Sequence, residues 1–594
     1  MPGPLASVAR MERFWRGTGV ALGKHWKVVV VVLVAITVLL GIGLTRSEFA
    51  TGEDSYLNPD SRIALDNVVF QDNFGGETVI LLFTATDDDV DVTALVDPGN
   101  VDTLRELEED LRTVDDVRSV ITPYTSLLFS DELLKGPGQS ALLTAPGRDE
   151  AGADVRNADT TVSLERLGAV PAEDQVLGNP AWNDLLVFDN SIVEDEDNAR
   201  IRKSLASTFP DQEGPDGELV IGEVAVGGVV LEGNIDLDSQ SAATEEILAI
   251  LADVELDGFE LTVTGSPVYL KEINDYLQGG FLTLGAIALV VMAVVLALMF
   301  RVRWRLLPLL AVLVGVVWTF SLLGWIGIDL SLVTISGLPI LIGLGIDFAI
   351  QVHNRVEEEV VLDQEVHPMA ETLANLAPAL LAATFAGFVS FLALRLSKVP
   401  MIRDFGVLLA IGVVLLVIVG IVLPTAVLGI REWKQRTDTR GESLVERIVV
   451  KLGSLPTKAG LGLLIASVFL FVGGILVEGR TEIESDPIEW IDQGSEVVQD
   501  VRFLEDETGF ATTLGILVES NNTFDQDVID LIWGFTLDAE ERDEVVSSSS
   551  LVNTMGKIIL IDGATPIPPT EDDVVGAAEV APADIERALV SEDG

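Results

Sequence analysis

The chain has 594 residues, of which 93 are acidic and 37 basic, giving a formal net charge of −56 at pH 7. A surface of this sign repels phosphate backbones, which excludes nucleic-acid binding, and it repels itself unless salt screens it, which is typical of a protein from a halophile. Cysteine is absent, so disulfides, zinc–thiolate sites and thiol catalysis are excluded.

The N-terminal part of the chain predicts a tail, one membrane span and a large polar domain. Mean hydropathy is +0.42 although 22% of residues are charged, so the apolar residues must be concentrated in separate segments. We expect a cytoplasmic tail over 1–27, a retained transmembrane helix over 28–45 and an α+β domain over 46–278. Within that domain, residues 135–190 are rich in Gly, Pro and Asp, which is typical of a long surface excursion.

Further along the chain, five apolar segments lie close together in residues 279–430. Each has a length suited to crossing ~30 Å of hydrocarbon. A basic loop over 431–458 separates them from a seventh span over 459–478, and a second polar domain occupies 479–594. The five clustered spans are predicted over Gly280–Phe300, Leu306–Ile326, Val333–His353, Pro378–Leu396 and Asp404–Leu428.

Basic residues near the spans predict the orientation of the chain in the membrane. They are concentrated in the N-terminal tail, in the short loop after the second span and in residues 431–458. If the spans alternate, these three regions lie on one side, which the positive-inside rule assigns to the cytoplasmic face of a cell membrane. The acidic domains 46–278 and 479–594 are then extracytoplasmic.

An internal repeat relates the two polar domains. A shift of about 434 residues places the first span on the seventh and, without a gap, Ser61 on Ser495 and Gly75 on Gly509. Both copies are predicted to contain a helix, a glycine turn, an apolar strand and a second amphipathic helix. A complete second copy would end at roughly residue 868. We therefore expect either a truncated chain, still in the first domain of its second repeat, or a fragment of a protein with ~12 spans.

The fourth span contains one carboxylate, Asp347, about two helical turns before its polar end at His353. Gly343 lies on the same helix face, and Gly345 thins the helix nearby, so another helix can approach closely. An ionised carboxylate that faces lipid costs on the order of several kcal/mol. We therefore expect Asp347 to face the interior of the bundle, where a carboxyl group can load and release a proton. The alternative is that Asp347 lies near the cytoplasmic interface and that its side chain only extends to the polar surface there.

This layout resembles the resistance–nodulation–division (RND) superfamily, and within it the MMPL family. The resemblance rests on one outer domain, five clustered spans and a duplication, on the motif Gly343-x-x-x-Asp347-Phe348 in span four, and on the stretches "YLNPDS" and "LTVTGSPVYLKEI". The family has tyrosine where this sequence has Phe348, so that hydroxyl is missing. Spans two to six also resemble a sterol-sensing domain.

The resemblance implies both a fold class and a function. The implied fold is a multi-pass α-helical membrane protein with α+β extracytoplasmic porter-like domains and an RND-type internal repeat. The implied function is export of lipid-like or hydrophobic solutes, driven by protons, with sodium as an alternative coupling ion. Membrane lipids are implied partners, and a homo-oligomer is left open. The implied relay residues are Asp347, Gly343 and Phe348, with Gln351, Thr384 and Ser390 as supporting polar residues.

Two other functions stay open: a non-transporting lipid-binding sensor or scaffold of the sterol-sensing type, and an accessory protein of protein translocation. An enzyme is not expected, because the sequence contains neither a G-x-x-x-x-G-K-[ST] phosphate loop nor a G-x-S-x-G nucleophile elbow. The three histidines, His25, His353 and His367, lack the spacing of a metal site. No metal or cofactor is therefore expected.

Overall fold

A computed structural model describes most of the chain as helix. The described residues are 4–47, 57–87, 92–149, 152–189, 200–213, 219–221, 224–299, 304–362, 367–434, 450–451, 453–454, 457–479, 487–510, 512–542, 544–561 and 564–591. The helices are α1 (Pro4–Lys24), α2 (Trp26–Gly41), α3 (Arg62–Phe74), α4 (Pro98–Leu111), α5 (Pro123–Lys135), α6 (Pro137–Thr144), α7 (Ala153–Ala169), α8 (Pro180–Val187), α9 (Leu237–Leu251), α10 (Ser266–Met299), α11 (Leu307–Ile326), α12 (Leu332–Leu362), α13 (Pro368–Leu392), α14 (Pro400–Lys434), α15 (Thr457–Glu478), α16 (Glu496–Thr508), α17 (Gln526–Glu540), α18 (Leu551–Ile558), α19 (Glu571–Val580) and α20 (Ala583–Leu589). The strands are β1 (Thr78–Ala85), β2 (Val117–Ile121), β3 (Phe188–Asp189), β4 (Arg200–Ile201), β5 (Asp211–Glu213), β6 (Leu219–Ile221), β7 (Val224–Leu231) and β8 (Phe259–Thr264).

The chain divides into two compact units. We call the first the helical unit, which comprises Met1–Pro59 and Asn274–Ser485, and the second the α/β unit, which comprises Asp60–Ile273 and Asp486–Gly594. Each unit is therefore built from two separate segments of the sequence.

The helical unit contains helices that can cross a membrane. In the described residues, six are long and apolar enough, and Thr283–Ala297 of α10 is a shorter apolar stretch. The six lie over Trp26–Arg46, Leu307–Ile326, Leu332–Val360, Pro368–Leu396, Pro400–Glu432 and Gly460–Glu478. Most are longer than the apolar runs that predicted them, because an α-helix continues into polar residues wherever its backbone hydrogen bonds and caps allow.

Helix α14 lies at the centre of the packing in the helical unit, in contact with α11, α12 and α13. Helix α2 adds Leu33 to an apolar cluster with Trp318 of α11 and Val419 of α14, and the Trp318 indole donates to the Thr37 hydroxyl at 2.8 Å. These contacts join the first span to the clustered spans.

The N-terminal tail contains a helix that the sequence pattern had not predicted. Helix α1 packs along α13 and α14, and a Cβ at Gly19 would lie only 2.3 Å from the Met369 carbonyl oxygen. Arg16 of α1 pairs with Glu371 of α13 at 3.1 Å. Since only glycine permits so close an approach, Gly19 is the residue that lets α1 lie against α13.

The α/β unit is organised around a four-stranded antiparallel sheet in the order β2-β7-β1-β8. Successive side chains of β1 point to opposite faces. Leu81 packs in the main core, to which α4 and α9 contribute side chains. Leu82 packs on the other side, against Leu504 of α16. The sheet is therefore covered on both faces by helices.

Residues after 520 share a core with the first polar segment of the chain. Trp533 of α17 and Met555 of α18 form one apolar cluster with Phe129 and Leu133 of α5. Ion pairs add to this contact, between Arg148 and Asp573 at 3.1 Å among others. The predicted second domain therefore lies, as far as the structure describes it, in the same compact unit as the first.

The structure contains the first part of the predicted repeat. Helices α3 and α16 both have 13 residues. The Ser61 hydroxyl accepts from the Ala64 amide at 3.2 Å, and the Ser495 hydroxyl accepts from the Val498 amide at 3.4 Å. Both helices end at a glycine with positive φ, 97° at Gly75 and 73° at Gly509. The N-cap and C-cap residues therefore agree with the register read from the sequence.

The strand predicted after Gly509 does not form. Residues 512–520 carry no strand, whereas β1 in the first copy is paired on both sides, with β7 and with β8. A strand needs a neighbouring strand for its backbone groups, and the described residues between 487 and 591 supply none. The apolar pattern there was therefore insufficient to define a strand.

Two further predictions concern loops. The expectation of a surface excursion over 135–190 is wrong, because α6, α7 and α8 lie there and Trp182 is fully buried in the core. Most of the predicted cytoplasmic loop over 431–458 lies outside the described residues, as does Tyr56 of the "YLNPDS" stretch.

Candidate functional site

Helix α12 contains the carboxylate that the sequence singled out. Ser331 precedes the helix, and its hydroxyl accepts from the Thr334 amide at 3.3 Å, which caps the N-terminus. The helix continues past the predicted end of the span to Leu362. Asp347 is therefore held on a long helix, with more than two turns of helix on either side.

Asp347 lies on an exposed face of the helical unit. Gln351, one turn further on, donates from Nε2 to Asp347 Oδ2 at 3.1 Å. The prediction that Asp347 faces the interior of its own bundle is therefore wrong for the helices that the structure describes. The opposite side of α12 packs on α11 and α14, which leaves this face uncovered.

Gly343 lies on the same uncovered face. A Cβ added there would have no neighbour within 4 Å, and Ile340, one turn earlier, is 41% exposed. Close packing occurs instead at Gly345, where a Cβ would lie 2.6 Å from Leu416 of α14. Gly345 is thus the glycine that brings another described helix close, and Gly343 leaves a shallow gap beside the carboxylate.

Phe348 points in a different direction from Asp347. It is buried in a cluster with Val352 of α12, Leu373 of α13 and Val417 of α14. Adjacent residues on an α-helix are about 100° apart around its axis. Phe348 is therefore a packing residue in this arrangement, and the missing tyrosine hydroxyl would have been enclosed by apolar side chains.

The two supporting residues on α13 lie in unlike surroundings. Thr384 is buried, and its hydroxyl donates to the Leu380 carbonyl at 2.7 Å, whereas Ser390 is exposed. Neither is hydrogen-bonded to Asp347 in the part of the chain that the structure describes. Among the residues that the structure describes, Gln351 is the one predicted supporting residue that is hydrogen-bonded to Asp347.

Sequence reasoning missed a buried ionic cluster at the C-terminal ends of α12 and α14. Arg431 Nη1 lies 2.5 Å from Glu357 Oε1, and Arg431 Nε lies 2.6 Å from Glu432 Oε1. His353 Nε2 is 3.6 Å from the same Glu357 oxygen. The sequence contained one indication of this cluster: His353 and Glu357 are four residues apart, a spacing that places both on one face of a helix.

Within the described ranges, no three His, Cys, Asp or Glu side chains are grouped so that they could hold a metal ion.

Comparison with known proteins identifies the region that contains both groups. The model of the MMPL family matches residues 221–448, which include the helices from α10 to α14. The chain carries an MMPL-family membrane region. The resemblance inferred from the sequence is confirmed by this match, as is the multi-pass helical fold. Asp347 and the ionic cluster both lie inside the MMPL-family region.

Two relatives support the assignment. A membrane protein of Methanocaldococcus jannaschii is 24% identical over 410 residues, which cover 68% of this chain and 89% of that protein. The protein translocase subunit SecD of Leptotrichia buccalis is 22% identical over 229 residues, which cover 38% of this chain and 55% of SecD. Similarity to the first relative therefore extends well beyond the MMPL-family region.

Proposed function

We propose that this protein is a secondary active transporter that uses the proton gradient to export lipid-like or hydrophobic solutes, with Asp347 as the group that binds the proton. MMPL-family proteins are membrane transporters, which supports the general class. The solute class, the coupling ion and the direction of transport are our own inference.

The observation that carries the proposal is the position of Asp347. A carboxylate is exposed on the face of a helix that is otherwise apolar enough to cross a membrane. Contact between an ionised carboxylate and lipid costs on the order of 2.5 kcal/mol or more. A residue with that cost requires water, a proton or another protein surface beside it. Reversible protonation satisfies the requirement and supplies a means of coupling.

The uncovered face of α12 also suits a second protein surface. Gly343 and Asp347 are both open, so a further helix could lie directly against the carboxylate. The RND resemblance implies that a second copy of the span-four motif faces the first. We propose that such a second bundle covers this face and encloses Asp347 during transport.

Flux in lipid vesicles tests the proposal. The full chain is reconstituted with an imposed pH gradient, an internal pH dye and a fluorescent phospholipid as the solute probe. Asp347→Asn keeps the shape of the side chain but cannot ionise, so proton flux and lipid movement should both be lost. Asp329→Asn, between α11 and α12 and outside the spans, is the matched control and should transport normally.

If Asp347→Asn transported as well as the unaltered protein, Asp347 would have no part in coupling. A lipid-binding sensor or scaffold of the sterol-sensing type would then be the better description. Protein translocation is the second candidate, because part of the chain is similar to SecD. Movement of an unfolded polypeptide across the same vesicles, lost in Asp347→Asn, with no movement of phospholipid, would favour that candidate.

A further inference from the structure

Among the strands that the structure describes, β2 lies at one end of the four-stranded sheet, with β7 beside it on its inner side. The outer side of a terminal strand carries backbone N–H and C=O groups that can pair with a strand from another chain. Arg118 and Val120 are two residues apart on β2, so their backbone groups point to the same side of the strand. That side is the outer one, because side chains from outside the sheet bind the Arg118 carbonyl and the Val120 amide.

Helix α20 covers this edge with two charged side chains. The carboxylate of Asp584 accepts from the Val120 amide at 3.3 Å through Oδ1, and the guanidinium of Arg587 donates from Nη1 to the Arg118 carbonyl at 2.8 Å. A neighbouring antiparallel strand offers the same two partners, a carbonyl acceptor and an amide donor. The two side chains of α20 therefore take the place of a fifth strand.

Ion pairs hold these two side chains in position. Asp584 is almost buried, with 7% of its side chain exposed, and its Oδ2 lies 2.7 Å from Arg112 Nη2. Arg112 also pairs with the buried Glu108 at 2.8 Å, and Arg587 Nη2 lies 3.4 Å from Oδ1 of Asp584. Asp584 therefore joins α20 to the residue that follows α4 as well as to β2.

Helix α20 depends on its contacts with the rest of the unit. It has seven residues, whereas isolated helices shorter than about 12 residues are marginal in water. Ile585 anchors it in the apolar cluster that contains Trp533 and Met555. The contact with the strand edge itself is made by Asp584 and Arg587, so the loss of these two side chains should expose the edge.

An irregularity in β2 gives the same edge a second protection. The pairing of β2 with β7 shifts by one residue between Val117 and Ser119. Bulges of this kind are one of the features that prevent exposed strand edges from pairing with other chains. The sequence of the strand, Val-Arg-Ser-Val-Ile, is rich in β-branched residues, which favour pairing. Two separate features therefore oppose pairing at an edge whose sequence favours it.

We propose that the outer edge of β2 is a strand-binding surface that α20 covers, and that its partner is the β2 edge of a second copy of this chain. In an antiparallel pair centred on Ser119, the Val120 amide of each copy donates to the Arg118 carbonyl of the other. The groups that α20 satisfies would then satisfy one another. Each Arg118 would lie opposite a valine, so the two arginines would not be directly opposed. This inference does not rest on the proposed transport function.

Removal of the cover tests the proposal. We call Asp584→Ala/Arg587→Ala the uncovered variant. In detergent at molar KCl, the full-length uncovered variant should have twice the mass of the unaltered protein, measured by light scattering. Molar salt is needed because each copy has a formal net charge of −56. Glu586→Ala changes an exposed side chain of the same helix and is the matched control, which should keep the mass of the unaltered protein.

A cysteine at position 119 identifies the edge that pairs. The chain has no cysteine of its own. In the proposed pair, the two Ser119 residues face each other at a Cα separation of about 4.5 Å, which a disulfide can bridge. Ser119→Cys should therefore cross-link two copies on mild oxidation in the uncovered variant, but not when α20 is intact. A doubled mass without this cross-link would overturn β2 as the contact.

Hydrogen exchange of the Val120 amide separates the cover from the partner. At low salt, where the copies stay apart, this amide should exchange roughly tenfold faster in the uncovered variant, because it loses a hydrogen bond to a charged group. The amides of β1 show whether the sheet remains folded. An unchanged rate would show that α20 does not protect the edge. A faster rate at low salt with no doubling of mass at molar KCl would refute the second copy as the partner.

Two further measurements complete the test. If the uncovered variant fails to fold, Arg587→Ala alone leaves Asp584 paired with Arg112, and its rate of Ser119→Cys cross-linking is compared with that of Glu586→Ala. Equal rates would overturn the proposal. A synthetic peptide spanning 115–122 should compete with the pairing of two copies, whereas a β1 peptide spanning 78–85 should not. Equal competition by both peptides would show that the edge accepts extended peptides in general, which would overturn the second copy as its specific partner.

Discussion

The guanidinium of Arg156 donates from Nε to Asp149 Oδ2 at 2.9 Å, and the arginine side chain is fully buried. It also donates from Nη1 to the Ile559 carbonyl at 2.8 Å and from Nη2 to the Thr565 carbonyl. One side chain therefore joins two segments of the α/β unit that are about 400 residues apart in the sequence.

Replacement of Arg156 by leucine should destabilise the α/β unit strongly. The carboxylate of Asp149 would lose the buried guanidinium beside it, and the Ile559 and Thr565 carbonyl groups would lose the donors that Arg156 supplies. Breaking a buried ion pair in this way costs about 3–5 kcal/mol. Urea titration of the full chain, followed by tryptophan fluorescence, measures the loss. Arg105→Leu removes an exposed ion pair and should change the midpoint little; equal effects in both variants would contradict this role of Arg156.

A methyl group at Gly324 should loosen the contact between α11 and the turn after α2. Its Cβ would lie 2.0 Å from the Gly43 carbonyl oxygen, so the backbone itself would have to move. Overpacking of this kind costs about 1–3 kcal/mol. Gly324→Ala should therefore lower the midpoint of thermal unfolding in detergent. Gly343→Ala is the matched control, because a Cβ at Gly343 has no neighbour within 4 Å. Its unfolding midpoint should not change.

The N-terminus of α9 should be sensitive to acid. Asp236 precedes the helix, and its carboxylate accepts from the Ser239 amide at 3.0 Å and from the Ser239 hydroxyl at 3.0 Å. These bonds, led by the one from the Ser239 amide, lower the pKa of Asp236. A lowered pKa in the folded state means that the stabilisation is present at neutral pH and is lost as the pH falls through that pKa.

Two substitutions separate the cap from the charge. Asp236→Ala should cost about 0.5–2 kcal/mol at neutral pH, because it removes the cap. Asp236→Asn keeps an acceptor for the Ser239 amide but does not titrate, so the acid response of α9 should disappear while the helix stays capped. Hydrogen exchange of the α9 amides at several pH values measures both effects. An acid response in Asp236→Asn identical to that of the unaltered protein would show that another group is responsible.

The acidic surface should make the stability depend on salt. With 93 acidic against 37 basic residues, repulsion acts over about 10 Å at 0.1 M salt but only about 3 Å at 1 M. Unfolding midpoints should therefore fall as KCl is lowered from molar concentrations. A sucrose series at constant low salt serves as the control, since sucrose strengthens burial without screening charge. Full stability at low ionic strength would exclude the adaptation to salt.

Much of the helical architecture could be predicted from apolar runs, because a membrane span must satisfy its own backbone within one continuous segment. The runs located α11, α12, α14 and α15 to within a few residues of their starts. The start of α13 was predicted at Pro378, but the helix begins at Pro368, where the side chain of His367 caps it. The turns of α13 that precede Pro378 include polar residues, so a search for continuous apolar runs does not detect them.

The caps of the repeat were also predictable from the sequence. A serine before a helix and a glycine after it have local physical roles, so Ser61 and Ser495, and likewise Gly75 and Gly509, could be matched by spacing alone. The strand after Gly509 could not be judged in the same way. Its formation depends on partners elsewhere in the chain, and local pattern says nothing about them.

The sequence by itself determined that Asp347 lies in an apolar helix, because composition and spacing are properties of one segment. Only the tertiary structure decided that its face of α12 is uncovered, and that His353 lies against Glu357 close to Arg431 of another helix. Which side of a helix is covered depends on the rotation of each helix about its axis. That rotation is set by packing against neighbours such as Leu416 on Gly345, which no single segment specifies.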